Sequence, residues 1–116
     1  MIIDTENPTQ TQPDEGDVPG FRECFENSPL AAQAFNNRGV ALARKVMFEE
    51  AVADFSAAID IAPLHKDSLF NRGLARGVLG KYEDAIADFS RVIEINPRDG
   101  AAYNLRESFR GQVSST

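Results

Sequence analysis

One spacing, 34 residues, constrains this chain more than any other feature. Prolines stand at Pro29, Pro63 and Pro97, phenylalanines at Phe21, Phe55 and Phe89, and arginines at Arg38, Arg72 and Arg106. Residues 35–63 align with 69–97 without a gap, at 13 identities in 29 pairs. Ala51-Val52-Ala53-Asp54-Phe55-Ser56 matches Ala85-Ile86-Ala87-Asp88-Phe89-Ser90, and Asn37-Arg38-Gly39 matches Asn71-Arg72-Gly73. A fixed period of this size marks stacked supersecondary units, each burying its apolar face against the next. A chain of 116 residues has room for one such array and no second domain.

Each unit reads as two helices. Phe48, Ala51, Val52, Phe55, Ala58 and Ile59 recur at helical spacing, as do Tyr82, Ala85, Ile86, Phe89, Val92 and Ile93. Pro63 and Pro97 end these second helices. The first halves, about 32–44 and 67–78, are also helical in pattern, with Gly39 and Gly73 at equivalent points. A glycine inside a helix costs ~1 kcal/mol relative to alanine, so its recurrence points to close helix–helix approach. Gly80 suits the turn between paired helices, whereas the first unit has Val46 there.

These features resemble the tetratricopeptide repeat family. The matching residues are Gly39 and Gly73, the aromatics Phe48 and Tyr82, the small Ala51 and Ala85, Phe55 and Phe89, and the closing Pro63 and Pro97. The departures are Arg38 and Arg72, where the family usually has leucine, and Arg76, where it has a large apolar residue. The resemblance covers about 31–112 and implies an all-α fold. It would be a right-handed superhelix of antiparallel helix pairs, about six helices in all. The expected organisation is an acidic, disordered tail over 1–18 and a repeat domain over 19–112. That domain divides into a half repeat (20–29), full repeats (32–65 and 66–99) and a capping half repeat (100–112). Residues 113–116 form a flexible end.

Composition bears mainly on partners. The net charge is −6, but residues 1–30 hold seven acidic residues against Arg22 alone, while 31–116 hold 11 of each sign. The tail reads as a solubilising leader, with an interaction or self-inhibitory segment as the sharper alternative. The array has no basic cluster, which argues against nucleic acid. No apolar run is long enough to span a membrane. The absence of a signal peptide and a single cysteine, Cys24, suggest a cytoplasmic setting.

No catalytic, metal or cofactor motif is present, so no enzyme activity and no cofactor are expected. Glu49-Glu50 and Glu83-Asp84 begin second helices, where carboxylates meet the positive end of the helix dipole. Cys24 reads as a packed thiol. Arg38 and Arg72 each have an aspartate 16 residues on, Asp54 and Asp88, for internal pairing. The alternative is a basic strip for an acidic peptide. Arg106 has no such aspartate and is expected to be free for a partner.

The resemblance implies a concave groove lined by first helices. Its projected residues are Gln33, Asn36, Asn37, Val40, Ala43 and Arg44, then Asp67, Phe70, Asn71, Leu74, Gly77 and Val78, extended by Asn104, Ser108 and Gly111. The site expected to bind is Asn36, Asn37, Val40, Arg44, Phe70, Asn71, Leu74, Val78 and Arg106, with Phe70, Leu74 and Val78 as an exposed apolar stripe. One subclass clamps a chaperone C-terminal carboxylate. Asn71 matches its asparagine, but Asn36 and Val40 replace its first-unit lysine and asparagine, which argues against that subclass. The expected function is a non-catalytic adaptor or scaffold that binds a peptide or partner helix, as a monomer. The alternative is self-assembly, in which incomplete edge helices stack or swap into a homo-oligomer.

Overall fold

The computed structural model describes residues 28–114, and among them the chain is five helices joined by short turns. They are α1 (Pro29–Arg44), α2 (Phe48–Ile61), α3 (Lys66–Val78), α4 (Tyr82–Ile95) and α5 (Gly100–Ser114). The helix pairs are α1 with α2 and α3 with α4, while α3 also packs on α2 and α5 on α4. The tail (1–18), Cys24 and nearly all of the leading half repeat (20–29) fall outside the described residues.

The ends of the helices follow from local chemistry. α1 begins three residues earlier than expected. Ser28 caps it, its Oγ accepting from the Ala31 N–H at 3.1 Å, and Pro29 sits in the first turn, where its missing N–H costs nothing. Asp99 Oδ1 accepts from the Ala102 N–H at 3.0 Å and starts α5 in the same way. α5 runs on to Ser114, past the expected boundary near 112. α2 and α4 have no side-chain cap, but each carries two acidic residues in its first turn.

The two turns within units are built alike. The Val46 N–H donates to Ala43 O and Met47 N–H to Leu42 O; Gly80 N–H donates to Gly77 O and Lys81 N–H to Arg76 O. This closing pattern requires a left-handed residue just after the helix. Gly80 adopts it at φ 81°, and Val46, a β-branched residue, adopts it at φ 64°.

The glycines act as expected. A Cβ on Gly39 would lie 2.5 Å from Phe55 Cε1, and one on Gly73 would lie 2.9 Å from Phe89 Cζ. Each ring therefore lies directly on the backbone of its partner helix. Gly77, projected into the groove, is instead covered by Phe109 of α5, which a Cβ there would overlap. Phe109 stacks on Phe89 (centroids 5.9 Å apart) and on Tyr82 (5.6 Å), locking α5 onto the second unit. The core forms two clusters, one around Phe55, Ala51 and Ala75, the other around Phe89, Leu69, Val92 and Ala102.

Candidate functional site

α1 and α3 lie side by side, and their C-terminal halves enclose an open apolar cavity of about 250 Å³. Val40, Ala43, Leu74 and Val78 form its walls, with Phe48, Phe55 and Ala75 beneath. Phe55 belongs in this floor because Gly39 lets it come so close. Leu74 is 37% exposed and Val78 63% exposed. Arg44 stands at the rim, without an ion-pair partner among the described residues. A second hollow of about 290 Å³ lies toward the helix N-termini, bordered by Asn36, Lys66, Asp67, Phe70, Asn71, Asp99 and Ala101. Asn71 borders both, so the two form one continuous face.

A polar chain holds Asn71 in place. Its Nδ2 donates to Asn36 Oδ1 at 3.1 Å, and Ser68 Oγ donates to the same oxygen at 3.0 Å. His65 Nδ1 sits 2.7 Å from Ser68 Oγ, and its Nε2 is 3.2 Å from Gln33 Oε1. Asn36 is therefore an inner support rather than a groove contact: it is 5% exposed. Asn71 is half-buried, with its own Oδ1 unpartnered among the described residues. Asn37 is exposed on α1 and accepts from Gln33 Nε2 at 2.9 Å.

Phe70 also departs from the expected stripe. Its ring turns inward and meets Phe89 edge-on, at 5.4 Å and 78°. The apolar wall is thus Leu74 and Val78 from α3 with Val40 and Ala43 from α1. Nothing in the hydropathy of α3 separates Phe70 from Leu74; the aromatic partner comes from α4. Asn104 and Ser108 lie exposed on α5.

The arginine series is internally paired. Arg38 Nε and Nη2 grip Asp54 at 2.7 and 2.9 Å, and Arg72 Nε and Nη2 grip Asp88 at 3.0 and 2.8 Å. The hydrogen bond donated to Asp54, together with that carboxylate's charge, raises the Arg38 pKa above its ordinary value against an opposing desolvation effect. Arg76, the family departure, also donates to Asp88, at 3.0 Å. Arg72 Nη1 reaches back to Ser56 Oγ of the preceding unit at 3.0 Å. Arg106 is not free, contrary to expectation. Its Nη1 reaches Ser90 Oγ at 3.4 Å, its Nε donates to Glu107 at 3.2 Å, and its guanidinium lies over the Tyr103 ring. The 16-residue spacing that pairs Arg38 and Arg72 with aspartates gives no sign of this partner, because Glu107 is the adjacent residue.

Among the described residues no helix is long and apolar enough to cross a membrane. A comparison with curated protein sequences found no match. Several solved structures are similar. The first tetratricopeptide domain of Spaghetti (RPAP3), bound to the HSP90 peptide SRMEEVD, is 27% identical at TM-score 0.70, covering 76% of this chain and 68% of that one. The Arabidopsis OM64 tetratricopeptide domain is 28% identical at TM-score 0.67, covering 69% of this chain and 66% of that one. The first tetratricopeptide domain of human RPAP3 is 26% identical at TM-score 0.71, covering 84% and 77%. This chain thus spans between about two thirds and three quarters of each. Two family models described as tetratricopeptide repeat match adjoining stretches, residues 21–66 and 67–99. With the glycine–phenylalanine contacts repeating at their 34-residue spacing, these matches place the chain in the tetratricopeptide repeat family, whose domains are protein-interaction modules.

Proposed function

We propose that this chain is a peptide-binding adaptor whose partner lies along the α1–α3 face. The observation that carries this reading is the apolar cavity between Val40, Ala43, Leu74 and Val78, with Asn71 at its inner end and Arg44 at its rim. A cavity of about 250 Å³ admits one large aliphatic side chain. Asn71 offers an acceptor, and a donor besides the one given to Asn36, for a peptide backbone passing over it. Arg44 favours an acidic residue beside the apolar one. The partner is therefore an extended segment that pairs an aliphatic anchor with a neighbouring carboxylate.

The Spaghetti (RPAP3) domain is bound to the HSP90 peptide SRMEEVD. In this chain Asn36 stands where the clamp subclass has lysine, and it is buried and committed to Ser68 and Asn71. Val40 is wall rather than polar contact. These two positions favour an internal, apolar-anchored segment over a clamped chain end.

Peptide selection from a random displayed library, followed by fluorescence anisotropy with SRMEEVD as the comparison, tests the reading. Selected peptides share the aliphatic–acidic pair and bind more tightly than SRMEEVD. Leu74→Asp weakens them by about 10–100-fold, the worth of one buried aliphatic side chain. Selected peptides that bind L74D and Asn71→Ala as tightly as wild type would show the partner lies elsewhere.

A further inference from the structure

We infer that the outer face of α5 is a closed end of the array, and that Glu107 closes it. In both full units a phenylalanine of the second helix is seated on a glycine of the first: Phe55 on Gly39 and Phe89 on Gly73. Glu107 holds that same position of the 34-residue register in α5. A single added carbon at either glycine falls 2.5 or 2.9 Å from the ring. A glutamate side chain therefore leaves no seat for a third phenylalanine.

Glu107 also replaces the second feature of the seat. In the full units the arginine Nε donates to an aspartate of the following helix, Arg38 to Asp54 Oδ2 at 2.7 Å and Arg72 to Asp88 Oδ2 at 3.0 Å. In α5 the Arg106 Nε donates to Glu107 Oε2 at 3.2 Å, an acceptor on its own helix. Arg110 Nη1 adds a second bond to that oxygen at 3.0 Å. On its other side Arg106 keeps the repeating contact, reaching Ser90 Oγ as Arg72 reaches Ser56 Oγ. Arg106 thus needs no charge partner from a following helix. One residue fills the space of the ring and supplies the carboxylate. A further unit of this sequence type finds no seat on α5, and neither does the corresponding helix of a second copy. The inference goes beyond the groove reading and does not depend on it, because the groove faces α1 and α3.

The test supplies a following helix. A copy of the Gly80–Pro97 sequence is appended after Val113, in repeat register, to the native chain and to its E107A and E107G variants. Amide hydrogen exchange of the appended segment is read against α3 and α4 as internal reference. E107A and E107G remove the Arg106 partner equally, and only E107G removes the Cβ. The expected result is appended amides slowed about 10-fold or more in E107G, with native and E107A alike and unprotected. Protection in the native extended chain, or equal exchange in E107G and E107A, overturns the inference. Should E107G unravel α5, the native extended chain still decides it: protection over Glu107 overturns closure, and free exchange upholds it.

Discussion

Arg38 and Arg72 hold the same position in successive units and grip equivalent aspartates, yet the Arg38 side chain is 66% exposed and that of Arg72 is 17% exposed. The difference comes from the neighbours. Arg72 lies between Ser56 of the unit before it and Asp88 of its own unit, while among the described residues Arg38 meets Asp54 of α2 and the Phe35 ring of its own helix, with no contact from a preceding unit. The rings are both fully buried, but what covers them differs. Phe89 is covered by Phe70 and stacked on by Phe109, while Phe55 borders the open cavity. In a stacked array nearly identical sequence is worth different amounts according to what lies on its far side.

Truncating the two rings is the largest test of this comparison. Phe89→Ala should cost about 3–5 kcal/mol, and Phe55→Ala should fall at or below the low end of that range. Urea denaturation of both variants measures the gap. If F55A is as costly as F89A, the flanking aromatics contribute nothing beyond each unit's own packing.

The aspartates come next. Asp88→Asn leaves Arg72 and Arg76 facing a neutral amide in a mostly buried setting, at about 3 kcal/mol. Asp54→Asn should cost distinctly less, because water already screens Arg38. Added salt should shrink the D54N effect and leave most of the D88N effect in place. Equal losses with equal salt dependence would remove the distinction between the two units.

The glycines sharpen the comparison by reversing it. Gly39→Ala and Gly73→Ala should each cost about 1–3 kcal/mol through overpacking. G39A should be the more costly, since its Cβ meets the ring at 2.5 Å against 2.9 Å for Gly73. Here local fit, rather than place in the stack, sets the order, and thermal melts of the two variants read it directly.

What the sequence made legible follows the same division. Contacts within a unit recur at a fixed offset, so Arg38 against Asp54 and a close helix approach at Gly39 could be read from spacing, though not that Phe55 is the group on that glycine. Most contacts between units depend on how one helix pair is rotated over the next; the one that recurs at a fixed offset, Arg72 to Ser56 and Arg106 to Ser90, joins an arginine to a serine, a pair that spacing alone does not single out. Asn36 turns inward because Ser68 and Asn71 meet it from the following unit. Gly77 is covered because Phe109 reaches across from α5. Phe70 left the expected stripe for Phe89 within its own unit, a contact that could not be read from repetition because Asn36 holds that position in the first unit, and the binding wall is therefore narrower than the hydropathy of α3 suggested. Leu74, Val78, Val40 and Arg44 could be placed because they face where no described helix packs.

The smallest effect lies in the two turns, where the units share geometry and differ in a single residue. Val46 and Gly80 close the same hydrogen-bond pattern at φ 64° and 81°. A left-handed backbone costs a residue with a Cβ roughly 1–2 kcal/mol, and a β-branched side chain stands at the upper end of that range. Val46 is 72% exposed, so it recovers little of this through burial. Val46→Gly removes the strain but frees the unfolded chain, which offsets roughly 0.5–1 kcal/mol. The net expectation is a gain of up to about 1 kcal/mol, seen as a rise of a few degrees in Tm. Gly80→Val should lose a comparable amount, since it adds the same strain at φ 81° where a Cβ meets nothing within 4 Å. A V46G variant that melts at or below wild type would mean the first turn is not strained, and that the two turns differ in residue without differing in stability.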